Sequence, residues 1–132
     1  MLAQAILETG YGTSYLAQHA NNFFGMKFKD GEDEGKYGYI WHISNEVING
    51  VVVPVNSKFR VYQSTDQSFL DNALKLRYGV SWDPNRYAGT WKVNARSYRD
   101  ATRALTGTYA TDPDYGQKLN NLIEYWKLDQ FD

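Results

Sequence analysis

The chain has 132 residues and a formal net charge of −1. That length suits one domain around a single core, and the charge balance excludes the basic face of a nucleic-acid binder. With no cysteine, a disulfide framework, a thiol nucleophile and a thiolate metal site are excluded too, and no apolar run reaches the roughly 18 residues that a membrane span needs.

The first predicted element is a helix over Ala3-Gln4-Ala5-Ile6-Leu7-Glu8-Thr9. Ala, Gln, Leu and Glu are good helix formers. Gly10 and Gly12 supply the backbone that ends it. Glu8 therefore falls in the last turn, facing the negative end of the helix dipole. Its surface neighbours Gln4, Ala5, Tyr11 and Gly12 offer no cation. Dipole and apolar neighbours together predict a carboxyl shifted toward its neutral form, which is the requirement for a general acid in glycosidic cleavage. Taken alone, the same residue reads more readily as a solvent-facing glutamate at a helix end.

Next comes a short helix and a loop, Thr13 to Lys27. Thr13 or Ser14 caps the helix, and Leu16 and Ala17 face inward. Asn21-Asn22 signals a turn. One of Phe23 and Phe24 plugs the core and the other lines a cleft. His19 is expected at the surface, with no second ligand at metal spacing.

The order Ala3-Gln4-Ala5-Ile6-Leu7-Glu8-Thr9-Gly10-Tyr11-Gly12-Thr13-Ser14, then Asn21-Asn22-Phe23-Phe24-Gly25-Met26-Lys27, resembles the glucosaminidase family of peptidoglycan hydrolases. That family shows Ala-Gln-Ala-x-x-Glu-Ser-Gly-Trp-Gly-x-Ser followed by Asn-Asn-x-Phe-Gly-x-Lys, and its fold is lysozyme-like. Here Thr9 stands for the Ser and Tyr11 for the Trp. The resemblance implies that Glu8 is the catalytic acid and that Tyr11, Asn22 and Phe24 bind substrate. Members usually carry a further helix before this block, so the chain is expected to be a single catalytic domain, residues 1–132, excised from a larger protein and lacking that helix.

Asp30-Gly31-Glu32-Asp33-Glu34-Gly35 lacks the alternate spacing of a calcium loop and reads as solvated. Tyr39–Ile43 and Gly50–Val55 are β-branched and aromatic, and Asn49-Gly50 between them signals a two-residue hairpin turn. Pro54 suits an edge strand of an isolated hairpin. A two-stranded hairpin has little core of its own, so a mobile flap is expected. Where the family has Thr-x-Glu-x-x-x-Gly, this chain has Ser44-Asn45-Glu46-Val47-Ile48-Asn49-Gly50. The match makes Glu46 the second carboxylate, as water-activating base or as stabiliser of the developing cation. His42 reads as structural or as a sugar contact.

Ser64 with Gln67 forms a capping box, and Phe69, Leu70, Ala73 and Leu74 recur at helical spacing as a core stripe. Ser81 to Trp91 is a loop with turn chemistry, in which Trp82 floors a sugar subsite. Asn94 or Ser97 starts another helix, with Tyr98, Ala101, Thr102 and Leu105 on one face and Gly107 as its stop. In the last block Asp112 caps a helix and Pro113 takes its first position. Tyr115, Leu119, Leu122, Ile123 and Trp126 form its buried stripe. Gly107 to Tyr115 resembles the family's Gly-Tyr-Ala-Thr-Asp-Pro-x-Tyr, with Thr108 inserted. The resemblance makes Tyr109 an active-site tyrosine, and Tyr115 is counted among the glycan contacts.

The chain thus reads as a mainly α (α+β), lysozyme-like helical domain with one β-hairpin flap over a cleft. Aromatic residues make up 16% of it, with eleven Tyr and four Trp, and such rings lie well against sugar C–H faces. The implied activity is endo-β-N-acetylglucosaminidase action on peptidoglycan, by a monomer without cofactor or metal, outside the cell or in the wall. A lytic transglycosylase or a non-catalytic wall-binding module are the other readings.

Overall fold

A computed structural model describes residues 1–131. The chain forms two compact units: Met1–Leu7 together with the residues from Phe69 onward, and Glu8–Ser68. The elements in chain order are α1 (Leu2–Thr9), α2 (Tyr15–Ala20), β1 (Gly38–Ile48), β2 (Val51–Val61), α3 (Thr65–Tyr78), α4 (Tyr98–Leu105) and α5 (Tyr115–Trp126). The result is the helix-rich α+β architecture expected, and among the described residues no helix is long and apolar enough to cross a membrane.

In the Glu8–Ser68 unit, Ser14 is the cap of α2, its hydroxyl accepting from Ala17 N at 3.1 Å. Strands β1 and β2 pair antiparallel with Ile48 opposite Val51. The loop is therefore Asn49-Gly50, with φ of 51° and 77°, the double left-handed turn that matches strand twist. The hairpin is not isolated, however. Phe28 N donates to Lys58 O at 2.9 Å and Arg60 N to Met26 O at 3.0 Å, so Lys27 bridges Phe59 antiparallel beside the two-stranded sheet. These bonds show that even-numbered β2 residues turn their backbone groups away from β1. Pro54 shares that parity, so its missing N–H falls on the open edge and costs no ladder bond.

Polar side chains, as well as apolar ones, hold this unit. Asn22 is 1% exposed. Its amide accepts from Met26 N at 3.0 Å and donates to Met26 O and Arg60 O, each at 2.9 Å. The acidic loop also departs from expectation, because Asp33 is 4% exposed rather than solvated. Arg60 donates to it from Nε at 2.8 Å and Nη2 at 3.1 Å, and Lys29 N donates at 2.8 Å. Pairing with a two-pronged guanidinium is what makes a buried carboxylate tolerable. Around these groups pack Ala17, Ala20, Phe24, Met26, Phe28, Phe59 and Tyr62.

The other unit has its core in Ala3, Tyr87, Leu105, Tyr115, Leu119 and Ile123. Ser97 caps α4 and Thr102 and Leu105 are its buried residues, as its periodicity predicts. Helix α5 begins at Tyr115, later than expected. Asp112 instead closes a turn by accepting from Asp114 N at 2.9 Å, so it organises the approach to the helix. Trp126 is 48% exposed, outside the stripe assigned to it. In α3 the expected stripe fails more fully: Leu70 and Leu74 are 60% and 45% exposed, whereas Ser68 and Asn72 are both 0% exposed. Residues four apart share a face, and here the buried pair on that face is polar.

Burial pushes the Asp33 carboxyl upward, but hydrogen bonds from Arg60 and Lys29 and the charges of both outweigh it, leaving Asp33 below its ordinary 3.8. A lowered native pKa gives stability that is present above the unfolded value and lost as pH falls through the native one. Asp33→Asn is therefore expected to cost about 3 kcal/mol at pH 7, where it strands Arg60. At a strongly acidic pH, where Asp33 in the wild type takes up its proton below the ordinary carboxylate range, the gap narrows. Denaturant melts of both proteins at the two pH values check this, and an unchanged gap contradicts it.

Candidate active site

Helix α1 carries no basic residue in its last turn, and its backbone ends in an elbow. Gly10, Tyr11 and Gly12 have φ of 55°, 61° and 81°. Thr9, 3% exposed, fixes the turn: its hydroxyl accepts from Gly12 N at 2.7 Å, and its carbonyl accepts from Thr13 N and Ser14 N, both at 3.0 Å. Two of the three left-handed residues are glycines, which pay little for it. Tyr11 is not, and its conformation costs about 1–2 kcal/mol. The strain holds a tyrosine side chain 61% exposed, three residues after Glu8. Glu8 itself is exposed. The apolar enclosure expected from its sequence neighbours is thus absent from the free protein, while its place at the helix C-terminus is as expected.

Glu46 lies in the same unit as Glu8. It is opposite Val53, and Ile40 is opposite Phe59. Lys27 pairs with Phe59 from the other side, so Lys27 and Glu46 project from the same face of the ribbon. The Lys27 ammonium forms an ion pair with Glu46 Oε1. Six residues of flat strand separate the two positions along the ribbon, about 20 Å, farther than the two side chains reach. The ribbon therefore arches toward this face. Helix α2 packs on the same side, with the Tyr15 ring stacked on His42 at 5.3 Å and tilted against His19 at 4.3 Å. His42 also meets Phe59 edge-on at 5.9 Å. The flap is thus tied at three places, which corrects the free-standing hairpin expected from sequence.

Tyr109 belongs to the other unit, in the loop between Gly107 and α5. Its N–H donates to Leu105 O at 2.9 Å and its hydroxyl donates to Asn72 Oδ1 at 2.8 Å. The ring stacks on Tyr115 at 6.1 Å and lies under the Lys75 ammonium at 4.6 Å.

The five expected substrate contacts divide sharply. Tyr11 and Trp82 are 61% and 80% exposed. Asn22, Phe24 and Tyr115 are buried, at 1%, 5% and 3%, and offer no face to a glycan. Asn22 spends its amide on backbone, Phe24 packs in the core, and Tyr115 accepts from Gln4 Nε2 at 3.4 Å inside the other unit. Two residues were missed by sequence reasoning. Lys27 stood inside the Asn-Asn-x-Phe-Gly-x-Lys block without a role, and Asn72 sat in a stretch read for its apolar neighbours.

The chain as a whole matches known proteins. Residues 1–128 match the glucosaminidase family model, described as mannosyl-glycoprotein endo-beta-N-acetylglucosaminidase. The chain belongs to the glucosaminidase family. It is 44% identical to a probable N-acetylmuramidase of Lactococcus lactis subsp. cremoris, covering 100% of this chain and 29% of that protein. It is 38% identical to the exo-glucosaminidase LytG of Bacillus subtilis, covering 99% and 44%. The crystallised catalytic domain of the autolysin Auto from Listeria monocytogenes aligns over 99% of this chain and 72% of that one, with a TM-score of 0.87 and 40% identity. The chain thus spans under a third of the first of these relatives.

Removing the tie at the ribbon should loosen it without unfolding the unit. Lys27→Met keeps the aliphatic stem and loses the charge. With side chains 49% and 30% exposed, the pair contributes about 1 kcal/mol or less. The expected outcome is a melting temperature close to wild type with faster amide exchange over residues 44–53. Unchanged exchange there contradicts the arched, tethered ribbon.

Proposed function

We propose that this domain is a glycoside hydrolase that cleaves the β-1,4 bond after N-acetylglucosamine in bacterial peptidoglycan. The observation that carries the reading is the family match over residues 1–128, in which Glu8 stands in the last turn of a helix that runs into the Gly10-Tyr11-Gly12 elbow. In this reading Glu8 protonates the leaving oxygen. An exposed acid at a helix C-terminus gains its low-dielectric surroundings when glycan covers it, which favours the proton it must deliver. Exposed Tyr11 then lies against a sugar ring, and exposed Trp82 against another.

Glu46 is proposed as the second carboxylate. Held by Lys27, it serves as a carboxylate that activates water or steadies the cation forming at the anomeric carbon. Tyr109 is proposed to contact the 2-acetamido group. The protein would act as a monomer, without metal or cofactor, outside the cell or in the wall.

Relatives named for muramidase and for exo-acting glucosaminidase chemistry set the alternatives that a product analysis must separate. Mass spectrometry of digested walls is expected to show reducing N-acetylglucosamine ends. Reducing N-acetylmuramic acid ends would mean a muramidase, anhydro ends a lytic transglycosylase, and single released sugars an exo-enzyme.

Glu8→Gln preserves the shape of the side chain and cannot deliver a proton. It should lower turnover on purified walls by about 10²–10⁴ with an unchanged melting temperature. A folded variant keeping more than about a tenth of wild-type turnover removes Glu8 from the role of acid.

A further inference from the structure

Among the described residues, Asn72 Nδ2 is the only buried side-chain nitrogen or oxygen without a hydrogen-bond partner. Its residue is 0% exposed. A buried amide placed for packing alone would satisfy both ends or be replaced by an apolar group of similar shape, because an idle buried donor costs stability. Here only the Oδ1 end is used, accepting from the Tyr109 hydroxyl at 2.8 Å. The cost of the idle donor is therefore offset by one bond, and that bond sets the direction of one proton.

The Tyr109 ring is held independently of that bond. Tyr115 stacks on it at 14° between planes, Tyr87 is tilted against it at 6.0 Å, and Lys75 sits over its face. Packing fixes where the phenol lies. Asn72 fixes which way its hydroxyl points. A hydroxyl whose proton is committed meets any further partner through oxygen lone pairs.

We propose that Asn72 is a positioning residue for Tyr109, turning the phenol into a hydrogen-bond acceptor suited to the acetamido N–H of the glycan. The inference rests on the reading of Tyr109 as a substrate contact. An acceptor there orients the acetamido group without competing for its carbonyl oxygen. Asn72 itself acts only through the phenol.

The test uses Tyr109→Phe, Asn72→Leu, Asn72→Asp and the double variant Tyr109→Phe/Asn72→Leu. Turnover, KM and melting temperature are measured on purified glycan strands. Asn72→Leu is expected to reduce kcat by about tenfold or more, to the level of Tyr109→Phe, with KM changed less than about twofold. Asn72→Asp keeps an acceptor at the same place and should stay within about threefold of wild type. The double variant removes both partners together, which is nearly neutral for stability, and should be no slower than Tyr109→Phe alone, since the two residues act as one unit. A folded Asn72→Leu with wild-type kcat, losses that multiply in the double variant, or a folded Asn72→Asp as slow as Asn72→Leu overturns the proposal. If Tyr109→Phe itself is fully active, the reading of Tyr109 falls and this inference with it. If Tyr109→Phe is slow and Asn72→Leu is not, the inference alone falls. Should Asn72→Leu not fold, the double variant and Asn72→Asp decide.

Discussion

The Glu8–Ser68 unit depends on one buried amide. Asn22 grips Met26 through both its N–H and its carbonyl and reaches Arg60 O across 38 positions of sequence. Those bonds lay residues 26–28 along β2. Once that bridge is in register, parity decides the rest: Met26 and Phe28 bond to the edge of β2, and Lys27 projects to the face that carries Glu46. A one-residue slip would reverse every side chain and part Lys27 from its carboxylate. Arg60 closes the same frame by clamping Asp33 while its backbone bonds to Met26. An amide, a guanidinium and a carboxylate thus fix what a small apolar core in this unit leaves loose.

The elbow after Glu8 follows a different economy. A third glycine in place of Tyr11 would end α1 with less strain, yet an aromatic is held left-handed and exposed at that point. Strain that local structure does not require is a pointer to use. Thr9 is the counterpart that makes the strain affordable, since its hydroxyl and carbonyl together satisfy three N–H groups of the turn. The Ser that the family shows at this position would keep the hydroxyl. The methyl of Thr adds apolar contact in a site that is 3% exposed.

Legibility in the sequence followed the range of the signal. Ser14 and Ser97 as caps, Asn49-Gly50 as the turn, and the stripe of α4 are all local, and each was readable because its partners lie within a few residues. Glu8, Glu46 and Tyr109 were singled out through family motifs, which are local strings as well. Burial of Asp33 was not readable, because its partner Arg60 is 27 positions away and an acidic run flanked by glycines looks solvated from within. The α3 stripe misled for a related reason. Apolar periodicity marks where apolar residues recur, and the inward face of α3 is built on Ser68 and Asn72 instead. Ser68 accepts from Phe23 N at 3.0 Å and Asn72 from Tyr109, contacts 45 and 37 positions distant. Phe24 and Tyr115 carried two readings each, core and glycan contact, and their burial at 5% and 3% fits the core reading.

These buried polar groups divide by whether they are satisfied. Asn22 and Asp33 use their hydrogen-bonding capacity on the frame, and low dielectric then strengthens what they make. Such groups specify a fold, since no alternative packing returns the same partners. Asn72 is half satisfied, and a half-satisfied group weakens the fold that contains it. Fold specification therefore accounts for the first two and fails for the third. The partner of its used half is the hydroxyl of Tyr109, which the family motif marks independently. The physical anomaly and the motif meet at one hydrogen bond, and the defect in the core is explained by what it does for that hydroxyl.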